Sequence, residues 1–337
     1  MMIKHSILAI LLSSIALTAC AQTKNENTAD KATKTQHDPE LQKKVQQLVE
    51  KTKKNMIFVE GGEYLMGDFG LVTPELEKTV PNSMAVKNPT GNTIQPEGLP
   101  FSSSDNNKTP HKVILSSFSM QAHKVSMEDF NIYLAANNLP PSDLNSLYSP
   151  EVLHEVAAGM SWQQAKGYCQ WLGQQVGIPM DLPTEAQWEF VARNKGQYVL
   201  FATNTGNIDS NNTWSQEDYT DYRHMYIPES VINAPVISKT QPNPLGFYDL
   251  VTNNYEWMND WYDKNYYQIS PIQNPTGPKT GTEKVLRSTI PMGADNLVMA
   301  DGINIARTKS LPSPSKDDDL LNYRKFSTRC ISNTINK

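Results

Sequence analysis

Hydrophobic positions recur at three- and four-residue spacing in four stretches of the chain and come in short strand-like runs in two others. Leu41, Val45, Leu48 and Val49 share one side of a helix that runs through about Lys54. Asp38 supplies its N-cap, Pro39 its first position and Glu40 an early acid. Packing of this helix on the following domain and packing on a partner both satisfy the pattern. Met56 to Gly67 is two strand-like pieces broken by Gly61-Gly62, which predicts a hairpin. Residues 68–110 are rich in Pro, Asn, Ser and Gly and have no sustained period, and a connection that long is uncommon unless it is functional or mobile. His111 to Met120 alternates as a strand does, and Ser126 then caps a helix reaching Ala135. Ser161 caps a second helix whose Trp162, Ala165, Tyr168, Cys169 and Leu172 share one face. Thr184 caps a third, with Glu185 in its positive first turn and Trp188, Val191 and Ala192 inward.

The amino terminus changes the picture. Lys4 and His5 precede an apolar run from Ser6 to Ala16, shorter than the roughly 20 residues a bilayer-spanning helix needs. Residues 1–19 therefore read as an export signal. Leu17-Thr18-Ala19-Cys20 resembles a bacterial lipobox, which implies diacylation of Cys20 and cleavage before it; an ordinary signal with a chance cysteine is the other reading. Ala21 and Gln22 stand where sorting to the inner membrane would use an acid, so the resemblance favours the periplasmic side of the outer membrane, with surface exposure as a variant. Residues 20–37 are a polar tether, 38–54 the helix, and 55–337 one domain.

Charge excludes one class of partner. The 337 residues carry 30 Lys+Arg against 35 Asp+Glu, a net −5, and loss of residues 1–19 with Lys4 makes it −6. No basic surface is available for nucleic acid. A hydrophobic share of 38% and a mean hydropathy of −0.51 describe a soluble body.

Seven segments in order carry a family resemblance: Met56–Gly67, Lys124-Val-Ser126, Met160–Leu172, Leu182–Arg193, Pro242–Asp249, Tyr255–Trp261 and Arg329-Cys330. Together they resemble the formylglycine-generating enzyme, or sulfatase-modifying factor, domain family. The resemblance implies an α+β fold of the C-type-lectin-like superfamily, loop-rich, with small twisted antiparallel sheets and several helices. It also implies a disulfide between Cys169 and Cys330, the alternative being free redox thiols. Arg193, Arg287, Arg307 and Arg329 fall at positions resembling arginines that brace the family's core through carboxylates. Asp249 to Glu256 resembles the family's calcium loop, with the side chains of Asp249 and Glu256 and the carbonyls of Thr252 and Asn254 as implied ligands. Glu256 would otherwise cap a loop or pair with an arginine, and Thr252 stands where the family has Gly.

The family's oxidase chemistry rests on two cysteines that bind copper and attack a substrate thiol. This chain has no cysteine between 170 and 329, and Ser288 and Thr289 replace the glycines of the corresponding strand. Tyr255 replaces a groove tryptophan. No copper is expected. The six histidines, at 5, 37, 111, 123, 154 and 224, have no metal-site spacing. A degenerate groove bounded by Tyr255, Arg287, Ser288 and Met292 is the place left for a partner or ligand. The expectation is a lipid-anchored envelope protein acting as a binding or scaffold module, a secretion-machine component or inhibitor of a periplasmic toxin, whose partner is an envelope or secreted protein. The reading leans away from an enzyme. The alternative is a sulfatase-maturation or other small-molecule oxidase of the same family.

Overall fold

A computed structural model describes residues 38–70, 104–199, 201–206, 237–251, 254–288, 304–314 and 325–334. The first helix, α1 (Pro39–Asn55), starts where the Asp38 carboxylate accepts from the backbone N–H groups of Glu40 and Leu41. It packs on the domain: Leu48 and Thr52 are buried, and Lys51 reaches both carboxylate oxygens of Asp129, at 2.7 and 2.9 Å.

Strands β1 (Met56–Val59) and β2 (Gly62–Met66) do not pair with each other. β2 runs antiparallel to β3 (His111–Leu115), and β1 antiparallel to β4 (Phe118–Gln121). Val59 faces Phe118 and Gly62 faces Leu115, so both pairings keep one register along a single ribbon, interrupted at Glu60-Gly61 opposite Ser116-Ser117. The expected hairpin at Gly61-Gly62 is thus corrected. Its glycine signal comes from crowding, since a Cβ on Gly61 would stand 2.2 Å from the Leu115 carbonyl oxygen.

Three capped helices follow. In α2 (Met127–Ala136), Ser126 accepts from the Asp129 N–H. In α3 (Trp162–Val176) and α4 (Glu185–Ala192), Ser161 and Thr184 form capping boxes with Gln164 and Gln187. Gly177, at φ +86°, ends α3 in the left-handed region. The later chain builds a four-stranded sheet in the order β7 (Thr308–Ser310), β6 (Lys284–Arg287), β5 (Tyr255–Trp261), β8 (Phe326–Ser327), preceded in the chain between β5 and β6 by the short helix α5 (Tyr266–Ile269). β9 (Ile331–Ser332) adds to β4, making the sheet β1-β4-β9.

Two adjoining cores result. One joins α1, α2 and α3 to Trp257 and Leu286 and contains the Cys169–Cys330 disulfide, with a Cα separation of 5.4 Å. The other fills the space between the ribbon, α4 and the β5–β6 pair. Of the six tryptophans, Trp171, Trp188 and Trp257 are buried. Trp162 and Trp261 are half-buried and hold the Lys284 ammonium between their rings, 3.9 and 3.7 Å from the centroids. Trp214 lies outside the described residues.

Candidate functional site

The strand β6, which the resemblance aligns with the family's active strand, ends at Arg287. Its guanidinium is fully buried: Nη1 donates to Glu185 Oε1 at 2.8 Å, and Nη2 to Glu189 Oε2 at 2.9 Å and to the Asn304 carbonyl. Glu185, Glu189 and Arg193 recur every four residues, so one face of α4 presents all three. Glu189 Oε1 also accepts from Arg193 and from the Gly67 N–H; Glu185 takes two hydrogen bonds from Arg307, at 2.7 and 2.9 Å. The four arginines brace the core through carboxylates as the resemblance implied, and Arg287 faces that network and not a groove.

The antiparallel register that pairs Glu256 with Arg287 sets Tyr255 opposite Ser288, and both are half-buried. Ser288 keeps a glycine-like φ of +72° and its hydroxyl donates to the Leu250 carbonyl at 3.0 Å. Tyr255 stacks on Phe326, with centroids 6.4 Å apart. Met292, the fourth expected groove residue, lies outside the described residues, as do Cys20 and Thr252.

At the start of β5 lies a second buried charge cluster. Arg329 grips both oxygens of Glu256 at 2.8 Å and donates to the carbonyls of Ala122 and Tyr248. Lys124, with 1% of its side chain exposed, donates to the Asn254 carbonyl at 2.7 Å and stands 3.8 Å from Glu256 Oε1. Burial pushes the Lys124 ammonium down to about 8, against the pull of Glu256, so it is charged at pH 7. Asp249, at φ +60°, accepts from the Ser238 N–H through both oxygens, at 2.9 and 3.2 Å. Burial raises its carboxyl, while that N–H and Lys124 oppose the rise.

Beside this cluster, α1 and the 121–124 segment wall a cavity of about 490 Å³ lined by Lys51, Thr52, His123, Lys124, Glu128 and Lys239 among others. His123 stacks on Tyr248 at 4.4 Å and its Nδ1 lies 2.6 Å from Ser238 Oγ. Burial, with Arg329 and Lys51 nearby, pushes its imidazole down to about 4, so the ring is neutral at pH 7. The lining mixes both signs of charge.

Two metals can be tested against these residues. Copper needs soft ligands, and the two cysteines of the domain are consumed in the disulfide. The residues do not fit it. Calcium needs six to eight oxygens at roughly 2.3–2.6 Å. Both oxygens of Glu256 are held by Arg329 and the Asn254 carbonyl by Lys124, so two cations already sit where the ion would. The described ligands do not fit it either. Among the described residues no group of three or more His, Cys, Asp or Glu side chains is placed to hold a metal.

Sequence reasoning found Asp249, Asn254 and Glu256 but gave Lys124, His123, Asp260 and Lys284 no role. A Glu-x-x-x-Glu-x-x-x-Arg pattern at 185, 189 and 193 was the available signal for the α4 network.

A model of the sulfatase-modifying factor enzyme 1-like domain matches residues 41–310. The chain belongs to that family. A serine/threonine-protein kinase pkn1 of Chlamydia pneumoniae is 29% identical over 52% of this chain and 28% of its own length. The formylglycine-generating enzyme of Streptomyces coelicolor is 32% identical over 43% of each chain. An inactive C-alpha-formylglycine-generating enzyme 2 of Bos taurus is 33% identical over 31% of this chain and 32% of its own. The chain thus spans less than half the length of these curated relatives. Among solved structures, PvdO from Pseudomonas aeruginosa superposes with a TM-score of 0.54 at 17% identity, covering 82% of this chain and 93% of that one. Treponema denticola variable protein 1 gives 0.55 at 16%, covering 83% and 95%. Both likenesses bear on the fold, which is the family's α+β architecture.

Proposed function

We propose that this chain is a lipid-anchored envelope protein whose sulfatase-modifying-factor-type domain works as a binding or scaffold module, held to the membrane through Cys20, with an envelope or secreted protein as its partner. The cysteine inventory carries this reading. Of three cysteines in the chain, two form the disulfide that ties α3 to β9, and the third is the lipobox residue. A thiolate pair for copper-dependent oxidation of a substrate cysteine therefore has no source. The residue that follows the active strand, Ser288, spends its hydroxyl on the Leu250 carbonyl, and Arg287 beneath it is locked between two carboxylates. What the family fold offers once that chemistry is gone is a rigid frame presenting loops.

Two measurements test the proposal together. The copper-treated full chain is incubated with a cysteine-containing sulfatase peptide, and mass spectrometry follows formylglycine; none is expected. The intact protein is crosslinked in its own cells, and the recovered partner is purified and titrated against the purified domain; saturable binding at fixed stoichiometry is expected. Peptide turnover would overturn the proposal and return the domain to enzymology, as would failure of every purified candidate to bind.

A further inference from the structure

We infer that Lys124 is a built-in cation that does the work of a divalent ion in the 249–256 segment, so that this domain closes its calcium-type loop with no metal at all. Three observations carry this. The first is position. The Lys124 ammonium lies 2.7 Å from the Asn254 carbonyl and 3.8 Å from Glu256 Oε1, so it stands against two of the four implied ligands, and Asp249 belongs to the same buried cluster. The fourth, Thr252, lies outside the described residues.

The second observation is charge. Asp249 and Glu256 bring two negative charges, and Lys124 and Arg329 bring two positive ones, all four residues being at least nine-tenths buried. The cluster is neutral as built. A dication added to it would leave two uncompensated positive charges away from water, which desolvation makes costly. Lysine is almost never buried completely unless it is paired, so a lysine with 1% of its side chain exposed marks a site that requires a cation.

The third is the rigidity of the mount. Lys124 sits in the turn between β4 and α2, where Ala122 N–H bonds to the Asn55 carbonyl, Val125 N–H to the Thr328 carbonyl, and Ala158 N–H to the Val125 carbonyl. Its neighbour Ala122 offers its carbonyl to Arg329, the cation on the other side of Glu256. Lys124 and Arg329 thus clamp the start of β5 from two sides and tie it to β4 and to the β8–β9 segment. A calcium ion would bridge the same pieces by coordination; here the bridge is covalent at one end and needs no ion from the medium.

The test is a rescue experiment on the full chain. In the wild type, the melting temperature should be the same in excess chelator and in millimolar CaCl2, and calorimetric titration should show no stoichiometric calcium binding. Lys124→Ser removes the ammonium, leaving Glu256 to Arg329 and the Asn254 carbonyl without the ammonium. That variant should melt several degrees lower, and CaCl2 should recover a large part of the loss while NaCl at matched ionic strength should not. Lys124→Gln, which keeps most of the side-chain volume and one donor, serves if the serine variant does not fold, and it should show a loss with a weaker rescue. A wild type whose melting temperature falls in chelator and returns with calcium would overturn the inference. So would a Lys124 variant that melts like the wild type, or one that calcium fails to rescue.

Discussion

Ser288 shows how a single side chain can offset the cost of a left-handed backbone at a strand end. It takes a φ of +72°, a region that costs a side chain roughly 1–2 kcal/mol, and its hydroxyl offsets part of that cost by donating to the Leu250 carbonyl. Removing the hydroxyl separates the two effects. Ser288→Ala loses the hydrogen bond and keeps the strain, whereas Ser288→Gly loses both. Chemical denaturation should therefore place Ser288→Gly above Ser288→Ala by about 1 kcal/mol; equal stabilities would mean that the strand end relaxes. Glu189 is a harsher case. It is fully buried and accepts from Arg193, Arg287 and the Gly67 N–H, so Glu189→Gln takes the carboxylate away from Arg193 and leaves Arg287 with Glu185 as its remaining carboxylate in the core. A loss of about 3–5 kcal/mol in denaturant unfolding is expected.

At the level of elements, β5 joins the two buried charge clusters, with Glu256 at one end and Asp260 at the other. Asp260 accepts from the Glu185 N–H at 3.0 Å, and burial first, then the neighbouring Glu185, pushes its carboxyl up to about 7. The same group in the unfolded chain titrates near 4, at about 3.9. Between these values the folded protein holds more protons than the unfolded one, so this residue costs stability progressively as pH rises from about 4 to 7, up to roughly 4 kcal/mol in all. His123 acts in the opposite sense. Its folded value of about 4 lies below the unfolded one near 6.5, so its contribution is lost as pH falls through that range. The informative quantity is the difference between the wild type and Asp260→Asn: the variant should be no more stable near pH 4 and should gain steadily up to pH 8. A difference that stays constant with pH would show that Asp260 does not titrate in that window.

The elements also show where sequence stops being informative. Ser126, Ser161 and Thr184 announce their helices because a cap acts within three residues of itself, and all three caps are present. Gly61-Gly62 misleads because a turn glycine and a glycine crowded by a distant strand look alike locally, and the crowding partner, Leu115, lies beyond a long connection. β7, β8 and β9 have two or three residues each, too few for a period of two to register. Asp249, Asn254 and Glu256 were reached only through the resemblance of residues 249–256 to the family's calcium loop. The cation that meets them was not legible, because nothing around His123-Lys124-Val125 distinguishes a buried lysine from a solvated one.

On the scale of the whole molecule, β5 joins the two cores, with Trp257 in one and Met258 in the other, and the Cys169–Cys330 disulfide lies within the first. The bond closes a separation of 161 residues between α3 and the residue preceding β9. That loop contains α4, β5, β6 and β8, so opening it frees the unfolded chain most, and β9, held to β4 by a short pairing, loses its anchor to α3. Chain-entropy arguments put such a bond at roughly 2–5 kcal/mol. An export signal would deliver the domain to a compartment where the bond forms, whereas a reducing cytosol would withhold it. Cys169→Ser with Cys330→Ser, expressed without residues 1–19, should lower the unfolding free energy by that amount in chemical denaturation, and the wild type reduced by added reductant should fall to the same value. Protease sensitivity should then appear first after residue 325, where the short β8 and β9 hold the chain, while the α4–β6 arginine network stays protected. If the double variant matches the oxidised wild type in stability, the arginine clamps alone hold the carboxy-terminal strands, and the disulfide is dispensable to the fold.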